Sequence, residues 1–155
     1  MARVMHSIEK QSYEILRTRV DTSALPPWTR AVVERVIHAS ADLGYLDDLV
    51  CAEADLAAGV QALLDGAPVV ADSAMTAAGI TARGAICRID DRRAAALVIG
   101  LPVGFVGAVE AKQALRDSGL PTVTNRSEKG GAAVAAAALN ALLYGDPLDD
   151  KEQPS

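Results

Sequence analysis

Ala95-Ala96-Leu97-Val98-Ile99-Gly100-Leu101-Pro102-Val103-Gly104-Phe105-Val106-Gly107-Ala108-Val109-Glu110-Ala111-Lys112 decides how this chain is read. The stretch opens with an apolar run of strand length. Gly100, Pro102 and Gly104 break the run, and a helical pattern follows to about Ser118. Buried strand, glycine-rich turn and helix N-terminus, in that order, is how open α/β sheets place a ligand at the carboxyl ends of their strands. Free N–H groups at the helix start attract anionic groups, and glycines let a ligand approach the backbone. The same spacing also describes an ordinary tight connection, and a lone glycine-rich turn does not separate the two.

Downstream, Gly119-Leu120-Pro121 stops the helix and Thr122–Asn125 reads as a strand. Gly130-Gly131 is a second glycine turn at a helix start. The helix from Ala132 to Leu143 is nearly all alanine, which suits close packing against a sheet or a partner subunit. Residues 146–155 are acidic and polar and read as a flexible tail behind one domain spanning 1–145. Upstream, Gly84–Ile89 is a strand candidate and Asp90-Asp91-Arg92-Arg93 a charged connection. Ala67–Asp72 reads as a buried strand ending in a carboxylate, Ser73–Gly79 as a short helix, and Thr81 and Arg83 as loop residues. A helix over 53–65 follows the short strand Leu49-Val50-Cys51. Pro27–Ser40 is a helix with Val32, Val33, Val36 and Ile37 inward. Ser7 starts a first helix with a thin stripe of Ile8, Gln11/Ser12, Ile15 and Arg19. Strands alternating with helices predict a three-layer α/β/α fold with a mainly parallel sheet.

Composition narrows the function. The 155 residues suit one core, and with aromatics at 3% that core is built from Ala, Val, Leu and Ile. A net charge of −5 argues against nucleic acid, and no apolar run is long enough to span a bilayer. Cys51 and Cys87 lack metal or redox spacing and read as reduced, so the expectation is a cytoplasmic protein. His38 falls at the C-terminal end of its helix, and Glu34 stands four residues before it. Both would favour the imidazolium form, which suits a proton donor; a surface or capping histidine fits the same pattern.

Three segments resemble the precorrin-8X methylmutase (cobalt-precorrin-8 methylmutase) family. They are Ser12-Tyr13-Glu14-Ile15-Leu16-Arg17 with Val36-Ile37-His38-Ala39-Ser40; Gly66 through Met75 with Gly79-Ile80; and Leu97 through Lys112, continued by Gly130 through Asn140. The Gly-Leu-Pro-Val-Gly-Phe-Val-Gly-Ala-Val-Glu run is the most specific of these. The resemblance implies an isomerase of cobalamin (vitamin B12) biosynthesis that moves a methyl group from C11 to C12 of a polycarboxylate macrocycle. Its substrate would be precorrin-8X or cobalt-precorrin-8, with no cofactor of the protein's own. It implies a homodimer with sites near the interface, His38 as proton donor to the ring, and Ser12 at the substrate.

We add Arg17 and Arg83 as cations for peripheral carboxylates, and the turns Gly104-Phe105-Val106-Gly107 and Gly130-Gly131 as N–H donors. Asp72 and Thr81 complete the expected substrate site. The chain departs from the family between Ile89 and Leu97, where family members carry a further helix and strand. The fold is therefore expected to have one strand–helix segment fewer. Smaller departures include Ala41, where glycine is usual. The alternative reading is a catalytically impaired corrinoid-binding relative. A nucleotide-binding module ranks lower, because no Walker pattern or full dinucleotide fingerprint is present.

Overall fold

The computed structural model describes residues 7–81, 84–87 and 95–146. Seven helices and five short strands follow one another there: α1 Ser7–Arg19, α2 Pro27–Ser40, α3 Tyr45–Asp48, β1 Leu49–Cys51, α4 Glu53–Leu64, β2 Val69–Ala71, α5 Ala74–Gly79, β3 Ala85–Cys87, β4 Val98–Ile99, α6 Ala108–Asp117, β5 Thr122–Asn125 and α7 Ala132–Tyr144. The element order agrees with the sequence reading. The layering does not. Among the described residues the strands form two small sheets, one of order β1-β5-β4 and one pairing β2 with β3. The first is mixed, with β1 antiparallel and β4 parallel to β5. Strands of two to four residues have too few ladder positions to make one continuous parallel sheet.

The core lies between α2 and α7. Ala31 through Ile37 are all buried, and Val32, Val36 and Ile37 pack with Ala137, Ala138, Ala141 and Leu142. Alanine on α7 lets the two helix backbones approach, so β-branched residues of α2 fill the space between them. The helices run antiparallel. At one end Lys129, just before α7, pairs with Asp42, just after α2, at 2.9 Å. At the other, Gly145 lies beside Trp28.

Both ends of α2 are secured in ways its own sequence does not show. Pro26 is extended and offers no side-chain cap. Glu53 at the start of α4 caps α2 instead, accepting from the N–H groups of Trp28 and Thr29 at 3.0 and 2.8 Å. The C-terminal cap is Ala41 in the left-handed region, φ 54°, which gives a physical reason for glycine to be usual there.

Two further readings are corrected. On α1 the buried residues are Tyr13 and Leu16, whereas Ile8 and Ile15 are 69% and 44% exposed. The thin stripe of the sequence reading faces outward. The 67–72 segment is half-buried: Val69 and Ala71 point in, while Val70 and its neighbour Ile86 on β3 point out. Arg83 and the charged connection 90–93 lie outside the described residues. Among the described residues, no helix is long and apolar enough to cross a membrane, and no cluster of ligating side chains could hold a metal ion.

Candidate active site

α1 and α2 pack antiparallel, and their register brings two polar pairs face to face. Ser12 meets His38, with Oγ and Nδ1 2.8 Å apart. Arg17, five residues on, meets Glu34, four residues back. Tyr13 lies flat against the imidazole, ring centroids 4.6 Å apart and planes inclined by 19°. The stack fixes the ring plane, and Ser12 fixes which nitrogen is engaged. A neutral ring would accept the serine proton at Nδ1 and carry its own on Nε2; an imidazolium would donate from Nδ1 to Ser12 Oγ. Ile8, Gln11, Ser12 and Ile15 line an open hollow at this place. The outward face of α1 is thus an apolar surface with Ser12 set in it.

The described hydrogen bonds of Glu34, which the sequence reading sets beside His38, come from other residues. Its oxygens accept from Arg17 Nε and Nη2, from Arg30 Nε at 3.1 Å, and from the Thr22 hydroxyl. Burial pushes this carboxyl up, but the donors outweigh it and hold the pKa below the ordinary glutamate value. Arg17 is engaged on its other side by Asp146 at 2.7 Å. Two carboxylates therefore neutralise the guanidinium inside the fold. Asp146, the first residue of the expected tail, is part of this cluster.

Arg35, which the sequence reading does not name, is only 6% exposed. Its guanidinium lies 5.3 Å from the centroid of the Tyr144 ring. Its Nε has no hydrogen-bond partner among the described residues. The Tyr144 hydroxyl is 2.8 Å from Thr81 Oγ1, and the Thr81 N–H donates to Asn140. Thr81 thus joins the same group through α7. Arg35 precedes His38 by three residues, which places both on neighbouring positions of one helix face. A charged residue inside an apolar run was the available signal. Asp72 is exposed beyond β2 and joins no described cluster.

The two glycine turns meet each other. The Gly104 N–H donates to Glu128 O at 3.0 Å, and the Gly131 N–H to Leu101 O at 2.7 Å. A Cβ on Gly130 would collide with the carbonyl oxygen of Leu101. Two of the N–H groups expected to face a ligand are therefore consumed inside the protein. Lys112, 1% exposed, braces the arrangement from below. Its ammonium donates to Asn125 Oδ1, Ser127 O and Lys129 O. The turn's tip behaves differently: Phe105 and Val106 are 93% and 95% exposed. The Lys129–Asp42 pair places both glycine turns at the His38 end of the α2–α7 pair. Cys51 takes no part in this chemistry, because burial pushes its thiol up to about 11.

The precorrin-8X methylmutase family model matches residues 7–94 and 84–145. The precorrin-8X methylmutase of Pseudomonas aeruginosa is 30% identical over 194 aligned residues, covering 88% of this chain and 93% of the relative. The cobalt-precorrin-8 methylmutase of Salmonella typhimurium is 32% identical over 197, covering 89% and 94%. The crystal structure of the precorrin-8X methylmutase from Thermus thermophilus superposes with a TM-score of 0.80 at 25% identity, over 89% of this chain and 96% of that one. This chain belongs to the precorrin-8X methylmutase family. Both alignments are longer than its 155 residues, so those relatives carry residues without counterparts here. The two pieces of the family match overlap at 84–94, where the sequence reading places the missing segment.

Proposed function

We propose that this member of the precorrin-8X methylmutase family moves a methyl group from C11 to C12 of precorrin-8X or cobalt-precorrin-8, in the cytoplasm, with His38 as proton donor to the ring. The observation that carries the reading is the Ser12–His38 hydrogen bond beneath the Tyr13 stack. A sigmatropic methyl shift needs no nucleophile and no redox partner. It needs the macrocycle held in one conformation and its π-system made electron-poor. One positioned proton donor does the second, for roughly 10²- to 10⁴-fold in rate. In the imidazolium form Nδ1 donates to Ser12 Oγ, which leaves the Nε2 proton for the macrocycle, and the flat stack holds the ring's direction.

Holding the macrocycle falls to the surroundings. Ile8 and Ile15 offer apolar contact beside Ser12. Arg35 is the guanidinium best suited to a peripheral carboxylate, because its burial leaves an unmet N–H at hand. Arg17 supports the fold in its place. Thr81, Asp72, Arg83, Gly104, Gly107, Gly130 and Gly131 complete the substrate site in this reading. The apolar tip of Phe105 and Val106 suits contact with a second copy, which fits a homodimer.

A second reading, binding without turnover, is favoured by one observation: the curated relatives carry residues that this chain lacks. One experiment separates the two. Purified protein is titrated with the methyl-shifted product macrocycle and assayed for conversion of precorrin-8X by absorbance. The proposal expects conversion by wild type, a loss of at least roughly 100-fold on His38→Ala, and product affinity retained by the variant. Binding with no conversion supports the second reading. No binding by a folded protein defeats both.

A further inference from the structure

We propose that Tyr144 is a positioning residue, which holds the Arg35 guanidinium flat so that its edge meets one peripheral carboxylate of the bound macrocycle. The inference rests on the reading above, that this chain binds such a macrocycle. Three observations on the protein support it.

The first is the state of Arg35. A guanidinium carries five N–H donors in one plane, and buried polar groups ordinarily find partners. Arg35 is buried in the middle of α2, yet its Nε has none among the described residues. Burial without a partner is costly unless a ligand supplies the acceptor. Lys112, equally enclosed, shows what this fold does with a cation of purely internal use: three acceptors surround it.

The second is the geometry of the stack. A ring that faces a guanidinium occupies the flat side of the cation and leaves its edge free. Carboxylates bind the edge, in the plane, often through two parallel hydrogen bonds. Tyr144, its ring centroid 5.3 Å from Arg35 Cζ, therefore covers one side of the cation without competing for a carboxylate.

The third is that Tyr144 is itself fixed. Its hydroxyl meets Thr81 Oγ1 at 2.8 Å, the Thr81 N–H donates to Asn140 Oδ1 at 3.3 Å, and Asn140 Nδ2 donates to Gly79 O at 2.9 Å. A continuous chain of contacts runs from the end of α5 through α7 to α2. Two residues beyond the end of α7, Asp146 takes the other candidate cation, Arg17, out of use. The end of α7 thus sorts the two arginines, one engaged within the fold and one kept for a ligand.

The test is a double-mutant cycle on affinity for the methyl-shifted product macrocycle, using wild type, Arg35→Met, Tyr144→Leu and the double variant. Arg35→Met is expected to weaken binding roughly 10- to 100-fold, the size of a charged hydrogen bond. Tyr144→Leu is expected to weaken it roughly 3- to 20-fold. Once Arg35 is gone, removing Tyr144 should cost nothing further. A general structural role would instead weaken both backgrounds alike, and additive losses overturn the inference. Tyr144→Phe keeps the ring but loses the Thr81 contact that helps to fix it, so it should lose less affinity than Tyr144→Leu, and nothing once Arg35 is already Met. That variant keeps the test open should Tyr144→Leu not fold, and an equal loss from it with Arg35 already Met would count against the inference. Equal binding by Tyr144→Leu and wild type overturns this inference alone. Absence of binding by wild type overturns it together with the functional reading.

Discussion

The buried cations of α6 and α2 end in opposite ways. On α6, Lys112 is closed off by an amide oxygen and two backbone carbonyls, and every ammonium proton has an acceptor. On α2, Arg35 is covered by a tyrosine ring and keeps an unmet Nε. The first arrangement is a brace. It holds the Ser127–Lys129 loop, and through it the two glycine turns, with Asp48 securing the far side by accepting from Asn125 Nδ2 and from the Arg126 and Ser127 N–H groups. The second leaves a buried donor short of an acceptor, with His38 one turn away on the same helix. Complete satisfaction marks scaffold, and a buried group left short of partners marks a place for something else.

Substitutions can break this contrast. Lys112→Met strands two carbonyls and Asn125 at once, and it should cost about 3 kcal/mol. In a chain of this size that is a fall of roughly 6–12 °C in melting temperature, read by calorimetry. A loss within experimental error would mean the brace carries no weight.

Glu34→Gln comes next. Its carboxyl is held low in the folded state, so it stabilises the protein above the ordinary glutamate pKa, and that stability disappears as pH falls through the folded value. The variant should be about 2 kcal/mol less stable at neutral pH, the buried-pair cost being reduced by the partial exposure of both arginines. Well below the ordinary carboxylate range the gap should close. Denaturant curves at two pH values measure it, and a gap independent of pH would rule out the ion-pair account.

Arg35→Met sharpens the contrast from the other side. Its Nε has no described hydrogen bond to lose, so the ligand-free protein should change by no more than about 1 kcal/mol in either direction. A loss as large as that of Lys112→Met would make Arg35 a brace as well. Smallest is Ala41→Gly, which relieves a left-handed alanine at the end of α2 and should stabilise by about 0.5–1 kcal/mol. Thermal melts decide it, and a destabilised variant would show that Ala41 packs better than its backbone angle suggests.

The local placement of some candidate residues was legible in the sequence. His38 sits in the last turn of α2, as the helical spacing has it, and Ser12 of α1 is its partner. The glycine-rich run after Ile99 does separate a strand from a helix. What that run does was read less well. Its glycines permit a close approach, but the approaching group is the Gly130 loop of the same chain, with Leu101 O accepting from the Gly131 N–H. Glycine reports that something comes near the backbone and does not report what.

By itself the sequence determined the order and type of the elements, the apolar face of α2 and the family to which the chain belongs. Those depend on local periodicity, on turn residues and on motif identity, all carried by near neighbours in the chain. Tertiary structure alone decided three things: which face of α1 is buried, which arginine is neutralised, and which carbonyls receive Lys112. Each of these depends on partners far away in the chain: 17 residues separate Arg17 from Glu34, and 129 separate it from Asp146. An ion pair or a ring stack is specified by the meeting of two helices. Neither helix, read alone, contains the other's register.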